Sequence, residues 1–201
     1  MQESPHAHDL VPSCSHLCSA CTICQNLHSM VIDFDDNEFP LAYLISFRAY
    51  GTWLHGDKRG SMSRKQNKYG TPPIAPNPRL QQAEIKQLKH PPLKLDGRQR
   101  PVVEEAIREV CTNRGYWLRA INIRTNHVHT VVSAASKPEP VLHAFQAYAT
   151  RKLRRAGLLP EDVKLWTRHG STPYLWKERH VERAIDYVLN GQGDDLPSFD
   201  D

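Results

Sequence analysis

Apolar residues are gathered into short blocks along this chain, and the period of each block predicts an element. The first is LAYLISFRAYGTW, Leu41 to Trp53, dense in aromatic and branched residues. It predicts a strand that stops at Gly51. The stretch that follows, HGDKRGSMSRKQNKYGTPPIAPNPR, is rich in Gly, Pro and basic residues and predicts a long surface loop. PRLQQAEIKQLKHPP predicts a short helix stopped by Pro91 and Pro92. GRQRPVVEEAIREVCTNRGY predicts a longer one. Its apolar stripe is Val102, Val103, Ala106, Ile107 and Val110, Pro101 suits its first turn, Glu104 and Glu105 favour its positive end, and Gly115 stops it.

YWLRAINIRT and HVHTVVSA read as two strands joined by a tight Thr125-Asn126 turn. PEPVLHAFQAYATRKLRRAG reads as a helix ending at Gly157, and STPYLW as a short strand. ERHVERAIDYVLNGQG reads as a last helix, with Ala184, Ile185, Val188 and Leu189 as its apolar stripe. Apart from that last helix, the order is a split βαβ unit. The expected fold is α+β and ferredoxin-like: an antiparallel sheet with helices on one face, plus a C-terminal helix that carries a tyrosine.

Charge refines the organisation. Residues 1–39 have no sustained periodicity and read as a disordered Cys/His-containing tail. Residues 40–193 form the expected domain, and residues 194–201 an acidic tail. All 26 Lys and Arg residues lie beyond Pro40, so the folded body is cationic and suits a polyanionic partner. Four of the five cysteines cluster as Cys14, Cys18, Cys21 and Cys24. The spacing admits a soft metal. It lacks the two separated CxxC pairs of a ribbon, however, and a leader ahead of a working start at Met30 is the alternative. With no secretory pattern and no membrane-length apolar run, the expected location is cytoplasmic.

The candidate chemistry begins in RTNHVHTVVSA. Residues two apart on a strand share a face, so His127 and His129 point together. Two neutral imidazoles can hold one divalent cation. A histidine-triad hydrolase would need a third histidine where Val131 stands. A metallohydrolase barrel needs ~250 residues and eight βα units, more than this chain offers. Phosphoryl transfer on DNA remains, in which a metal polarises a phosphate and a tyrosine attacks it. Tyrosine, with an ordinary pKa of ~10, needs such help near neutral pH. Tyr187 on the last helix and Tyr148 on the preceding one both qualify.

These residues resemble a known family. TNHVHTVV, FQAYATRKLRR and AIDYVLNGQ, in that order, look like the single-tyrosine HUH transposases, where U is a bulky hydrophobic residue. FRAYGTWLHGDKRGS resembles the opening strand and loop of the REP-associated tyrosine transposase branch. The resemblance covers Pro40 to Gln192. It implies an RRM-like sheet, Mg²⁺ or Mn²⁺, single-stranded or hairpin DNA as partner, and action as a monomer or homodimer. It also implies DNA nicking and joining through a 5′-phosphotyrosine. Carried over by position, His127 and His129 match the metal pair and Tyr187 the nucleophile. The third ligand usually follows the tyrosine by about one turn. Position 191 is Gly here, which leaves Gln192, with Asn190 as the alternative. Candidate DNA contacts are Arg151, Lys152, Arg154 and Arg155 on the basic helix, Lys58, Arg59 and Arg64 in the loop after Trp53, and Arg168. Two other readings stay open: a domesticated DNA-binding protein without chemistry, and a metal-dependent nuclease or phosphodiesterase that uses water.

Overall fold

Alternation decides the sheet. In the computed structural model, which describes residues 38–58, 60–61 and 74–193, β1 (Ala42–Ala49) buries Tyr43, Ile45, Phe47 and Ala49 and leaves Leu44, Ser46 and Arg48 partly exposed. Consecutive residues of a strand face opposite sides, so one face of β1 is apolar and the other mixed. Two helices follow, α1 (Pro78–Lys86) and α2 (Gln99–Arg114). Next come β2 (Trp117–Ile123) and β3 (His127–Ser133), then α3 (Pro138–Arg155), β4 (Trp166–Ser171), β5 (Tyr174–Leu175) and α4 (Glu178–Asn190). The strand order is β2-β3-β1-β4, with β5 also on β1, and every pairing is antiparallel. That is the split βαβ arrangement expected from the sequence, an α+β fold.

The helix ends follow local chemistry. Asp96 Oδ1 accepts from the backbone N–H of Arg98 and Gln99 at 2.9 and 2.8 Å, and Gln99 Oε1 accepts from the Asp96 N–H at 3.0 Å. This reciprocal cap starts α2 two residues before Pro101. Glu104 and Glu105 consequently fall beyond the first turn. Gly115, at φ +65°, ends the helix in the left-handed region that other residues avoid.

The edge strand differs from expectation. The sequence pointed to Ser171–Trp176, whereas the longer strand is Trp166–Ser171 and the Tyr174–Leu175 pairing continues it along β1. Pro173 separates the two because it has no N–H for the ladder, although its carbonyl still accepts from Leu44 N at 3.1 Å. Gly170 lets the backbones close: a Cβ there would lie 2.5 Å from the Ser46 carbonyl oxygen.

Helices α2 and α3 cover one sheet face. Val103, Ile107 and Val110 of α2 and Val141, Phe145 and Leu153 of α3 pack with Tyr43, Ile45, Phe47, Val128 and Val132. Helix α4 covers the other face through Val181, Ala184 and Val188, which meet Ala42, Ala120, Val131 and Leu175. Leu189, expected in that stripe, is exposed. No described helix is long and apolar enough to cross a membrane. The cysteine cluster lies outside the described residues.

Candidate functional site

The register of β3 fixes where its histidines point. Val128 and Val132 go to the α2/α3 core and Val131 to the α4 cluster, so His127 and His129 share the α4 side. On that side Arg48 is paired with His127, and Ser46 and Asn122 flank His129 from either neighbouring strand. The imidazole centroids are 4.7 Å apart. His129 is only 6% exposed, and its Nδ1 lies 2.5 Å from Ser46 Oγ. Burial, with the neighbouring His127 and Arg48 adding to it, pushes its pKa down to about 4. At neutral pH His129 is therefore an uncharged imidazole.

His127 is held at both nitrogens. Nδ1 lies 2.6 Å from Asn126 Oδ1, and Nε2 lies 3.2 Å from Gln192 Oε1. Gln192 Nε2 donates to the Tyr187 carbonyl at 3.0 Å, which aims Oε1 at the histidine. An Nδ1–H that donates to Asn126 leaves a lone pair on Nε2 of the neutral ring. In that tautomer two acceptors face each other across 3.2 Å and a cation could bridge them, whereas with the proton on Nε2 the ring donates to Gln192.

Helix α4 brings the tyrosine. Asn122 Nδ2 donates to the Val188 carbonyl at 2.9 Å and ties the last turn of the helix to β2. One residue earlier, the Tyr187 ring stands 5.4 Å from that of His129, nearly edge-on at 72°. Tyr187 is 45% exposed, so the ring packs on the histidine while the residue remains open to solvent. Gly191 makes room for it: a Cβ at 191 would come within 2.9 Å of Tyr187 Cδ2. Asn190 instead donates to Asp186 at 2.8 Å, so of the two polar residues it is Gln192 that reaches His127.

Tyr148 belongs to the other layer. It packs on the α2/α3 core with the Arg151 guanidinium 4.3 Å from its ring centre, across the sheet from the histidines. The basic run of α3 divides. Lys152 is ion-paired with Glu105 and Glu109 of α2 at 2.8 and 3.0 Å. Arg154 donates to the carbonyls of Glu161 and Val163. Both thus hold the fold together, while Arg151 and Arg155 are exposed. Arg168 is exposed on β4 and lines a cleft of about 390 Å³ with Arg154 and Lys164. Trp166 is core, edge-on to Phe47 at 4.8 Å. Lys58 is exposed, and Arg59 and Arg64 lie outside the described residues.

Sequence reading missed Ser46, Arg48 and Asn122 as neighbours of the pair. A signal was present: Ser46 and Arg48 are the polar residues of LISFRA, two apart in an otherwise apolar strand. Among the described residues, no group of three or more His, Cys, Asp or Glu side chains could hold a metal. Any cation here would rest on two imidazoles and an amide oxygen.

No protein-family model and no curated protein matches the chain. Among solved structures it is similar to a REP-associated tyrosine transposase bound to a REP hairpin. The TM-score is 0.39 and the identity 9%, over 73% of this chain and 63% of that one. The chain thus spans less than two thirds of that protein's length.

Proposed function

We propose that this domain nicks and joins single-stranded DNA through a covalent phosphotyrosine on Tyr187, with a divalent cation at His127, His129 and Gln192. The observation that carries the reading is the gathering at one end of the α4 face. The Tyr187 ring lies 5.4 Å from His129, the His127 ring 4.7 Å beyond, and Gln192 Oε1 3.2 Å from His127 Nε2. The order of motifs along the chain, which resembles the HUH transposases, supports it.

The donor set fits a divalent cation. His129 is uncharged, and His127 Nε2 and Gln192 Oε1 lie 3.2 Å apart, two atoms that could each give a lone pair to one ion. Two ligands ~2.1 Å from one octahedral ion lie roughly 3.0 Å apart, so that spacing is compatible. When bound, Mg²⁺ or Mn²⁺ would supply positive charge to the phosphate as negative charge builds on its oxygens. The chain's own residues do the rest. Ser46 and Asn126 fix the imidazoles, and the Gln192 amide links the end of α4 to His127. The Tyr187 oxygen bonds to phosphorus as the bond from phosphorus to the 3′-oxygen breaks. The phenolic proton leaves to solvent and the 3′-oxygen gains one. One ester replaces another, so an incoming 3′-hydroxyl can reverse the exchange and rejoin a strand.

The test uses labelled single-stranded hairpin DNA with Mn²⁺ and a denaturing gel. A protein–DNA adduct is expected, absent in Tyr187→Phe and in His127→Ala. Cleavage without an adduct would instead establish a nuclease that uses water, and binding alone a DNA-binding protein without chemistry. An adduct that survives Tyr187→Phe and vanishes in Tyr148→Phe would move the nucleophile.

A further inference from the structure

Strands β4 and β5 form an open edge of the sheet: both pair with β1, and no described strand pairs with their other side. Alternation along β4 sets a cation beside α3. Trp166 packs edge-on against Phe47 in the α2/α3 core, and Gly170 lies under α3, where an added Cβ would stand 3.0 Å from Leu142 Cδ2. Arg168, between them in the strand, lines the cleft of about 390 Å³ together with Lys164 and with Gln146 and Thr150 of α3. Lys164 and Arg168 are both exposed. Among the described residues neither has an ion-pair partner, and the Lys164 ammonium lies 5.6 Å from the centre of the Tyr50 ring. Asp162 is the acid that lines the same cleft, so its charge is outnumbered even with Arg154 held by Glu161.

Further along the same edge stand two aromatic rings. Tyr174 of β5 meets the buried Tyr43 edge-on, at 5.1 Å and 83°. Trp176 is stacked on Tyr174, with the ring centres 6.1 Å apart and the planes 20° from parallel. Leu175, between them in the chain, goes to the α4 cluster, so the two rings share the α3 side with Arg168. Tyr174 is 45% exposed and Trp176 38%. The pair is thus braced from the core and open to solvent. The cleft, for its part, lies at the histidine end of the sheet. Trp166 is paired with Ala49, which follows Arg48, and Arg48 is paired on its other side with His127.

We infer that the β4–β5 edge is a second contact surface for unpaired DNA, with phosphates in the cleft against Lys164 and Arg168 and a base stacked on Tyr174 and Trp176. This surface lies beyond the tyrosine site, and the identity of its polymer rests on the proposed function. Proteins that hold single strands combine a cationic groove for the backbone with aromatic faces for the bases, and both parts stand on this one edge. From Arg168 to Tyr174 the chain spans roughly 20 Å at ~3.3 Å per residue, room for several nucleotides of an extended strand. A duplex keeps its bases within its own stack, so an aromatic shelf of this kind favours the unpaired strand. A strand that leaves the histidine pair round β4 enters the cleft first and meets the rings after it.

The experiment titrates the full chain, without metal, by fluorescence anisotropy across a salt series. The probes are a labelled thymidine strand and a strand of equal length made of abasic deoxyribose phosphates. The wild type should bind the thymidine strand about tenfold more tightly than the abasic one. Trp176→Ala should remove most of that preference and leave the affinity for the abasic strand as it was. Arg168→Gln should weaken both strands and flatten the dependence of log affinity on log salt by ~0.7, the value of one phosphate contact on a single strand. A wild type without the preference, or a Trp176→Ala that weakens both strands alike, overturns the inference. So does an unchanged slope in Arg168→Gln combined with Lys164→Gln. Should Trp176→Ala not fold, Trp176→Leu keeps apolar bulk without a flat ring, and a preference retained there overturns the shelf. Adduct formation on hairpin DNA with Mn²⁺ is read separately. Adducts from a wild type that lacks the preference would leave the tyrosine chemistry standing and refute the edge surface, and the preference and slope without any adduct would do the reverse.

Discussion

The two faces of the sheet are built by opposite rules. On the α2/α3 face, β1 and β3 contribute Tyr43, Ile45, Phe47, Val128 and Val132, each at most 1% exposed. Lys152, beside them, is paired within the protein to Glu105 and Glu109. On the α4 face the same two strands are apolar only as far as Val131 and then turn polar with His129, Ser46, His127 and Arg48. Packing accounts for the first face completely. It does not account for the second, where two imidazoles and a half-exposed tyrosine meet. The difference separates what stabilises the domain from what it presents to a ligand.

The largest stability effect should come from the closed face. Phe145→Ala removes a fully buried ring from the α2/α3 core and should cost ~3–5 kcal/mol, enough to threaten the whole fold. Val188→Ala, beneath α4, loses only two methyl groups and should cost about 2 kcal/mol. Denaturant unfolding followed by circular dichroism would read both. Equal costs would mean that the two layers contribute alike, and the contrast would fail.

The faces should also answer pH in opposite directions. His129 has a folded pKa of about 4 against an ordinary value near 6.5. Its neutral form is favoured by folding, so its contribution is complete above pH 6.5 and is lost as pH falls towards 4. On the closed face, burial raises the Cys111 thiol to about 11 and the Tyr43 phenol to about 12. Their contribution is complete below the ordinary values and is lost as pH climbs through the raised ones. Metal-free protein melted across the pH range should show both limbs. His129→Gln should flatten the acid limb and Cys111→Ala the alkaline one. An acid limb unmoved by His129→Gln would show that the acid sensitivity arises elsewhere.

How much of this was legible in the sequence follows the same division. Periodicity reports burial, so the strands and helices of the closed face could be read directly. The histidine pair was legible because strand alternation fixes its direction without tertiary knowledge. Tyr187 and Gln192 were legible as candidates, but their approach to the pair depends on how α4 crosses the sheet, which no local pattern encodes. Lys152 and Arg154 show the converse limit. A basic run looks the same in sequence whether it meets a ligand or, as here, the protein's own acids and carbonyls. The fourth strand was misplaced because TRHGS has neither apolar alternation nor strong strand formers. It is held as an edge by pairing with β1.

Gly191→Ala tests whether the polar end of the α4 face is a built arrangement. The added Cβ would stand 2.8 Å from the Tyr187 carbonyl oxygen and 2.9 Å from its ring, so the tyrosine must move. Little burial changes at this exposed position, and the melting temperature should hold within a few degrees. Adduct formation should fall by roughly 10- to 100-fold, the scale expected when a reacting group shifts by about an ångström. A wild-type adduct rate would show that the spacing from Tyr187 to Gln192 is incidental.

The smallest effect should come from Lys152→Ala. The ammonium is held by Glu105 and Glu109, whose carboxylates raise its pKa. Paired so near the surface, it should contribute no more than about 1 kcal/mol to stability. Since its charge is already engaged on the closed face, its loss should leave the salt dependence of DNA binding as it is in the wild type. A dependence on salt flattened by Lys152→Ala would mean that DNA is held by the overall charge of the body. The contrast between the two faces would then carry no functional meaning.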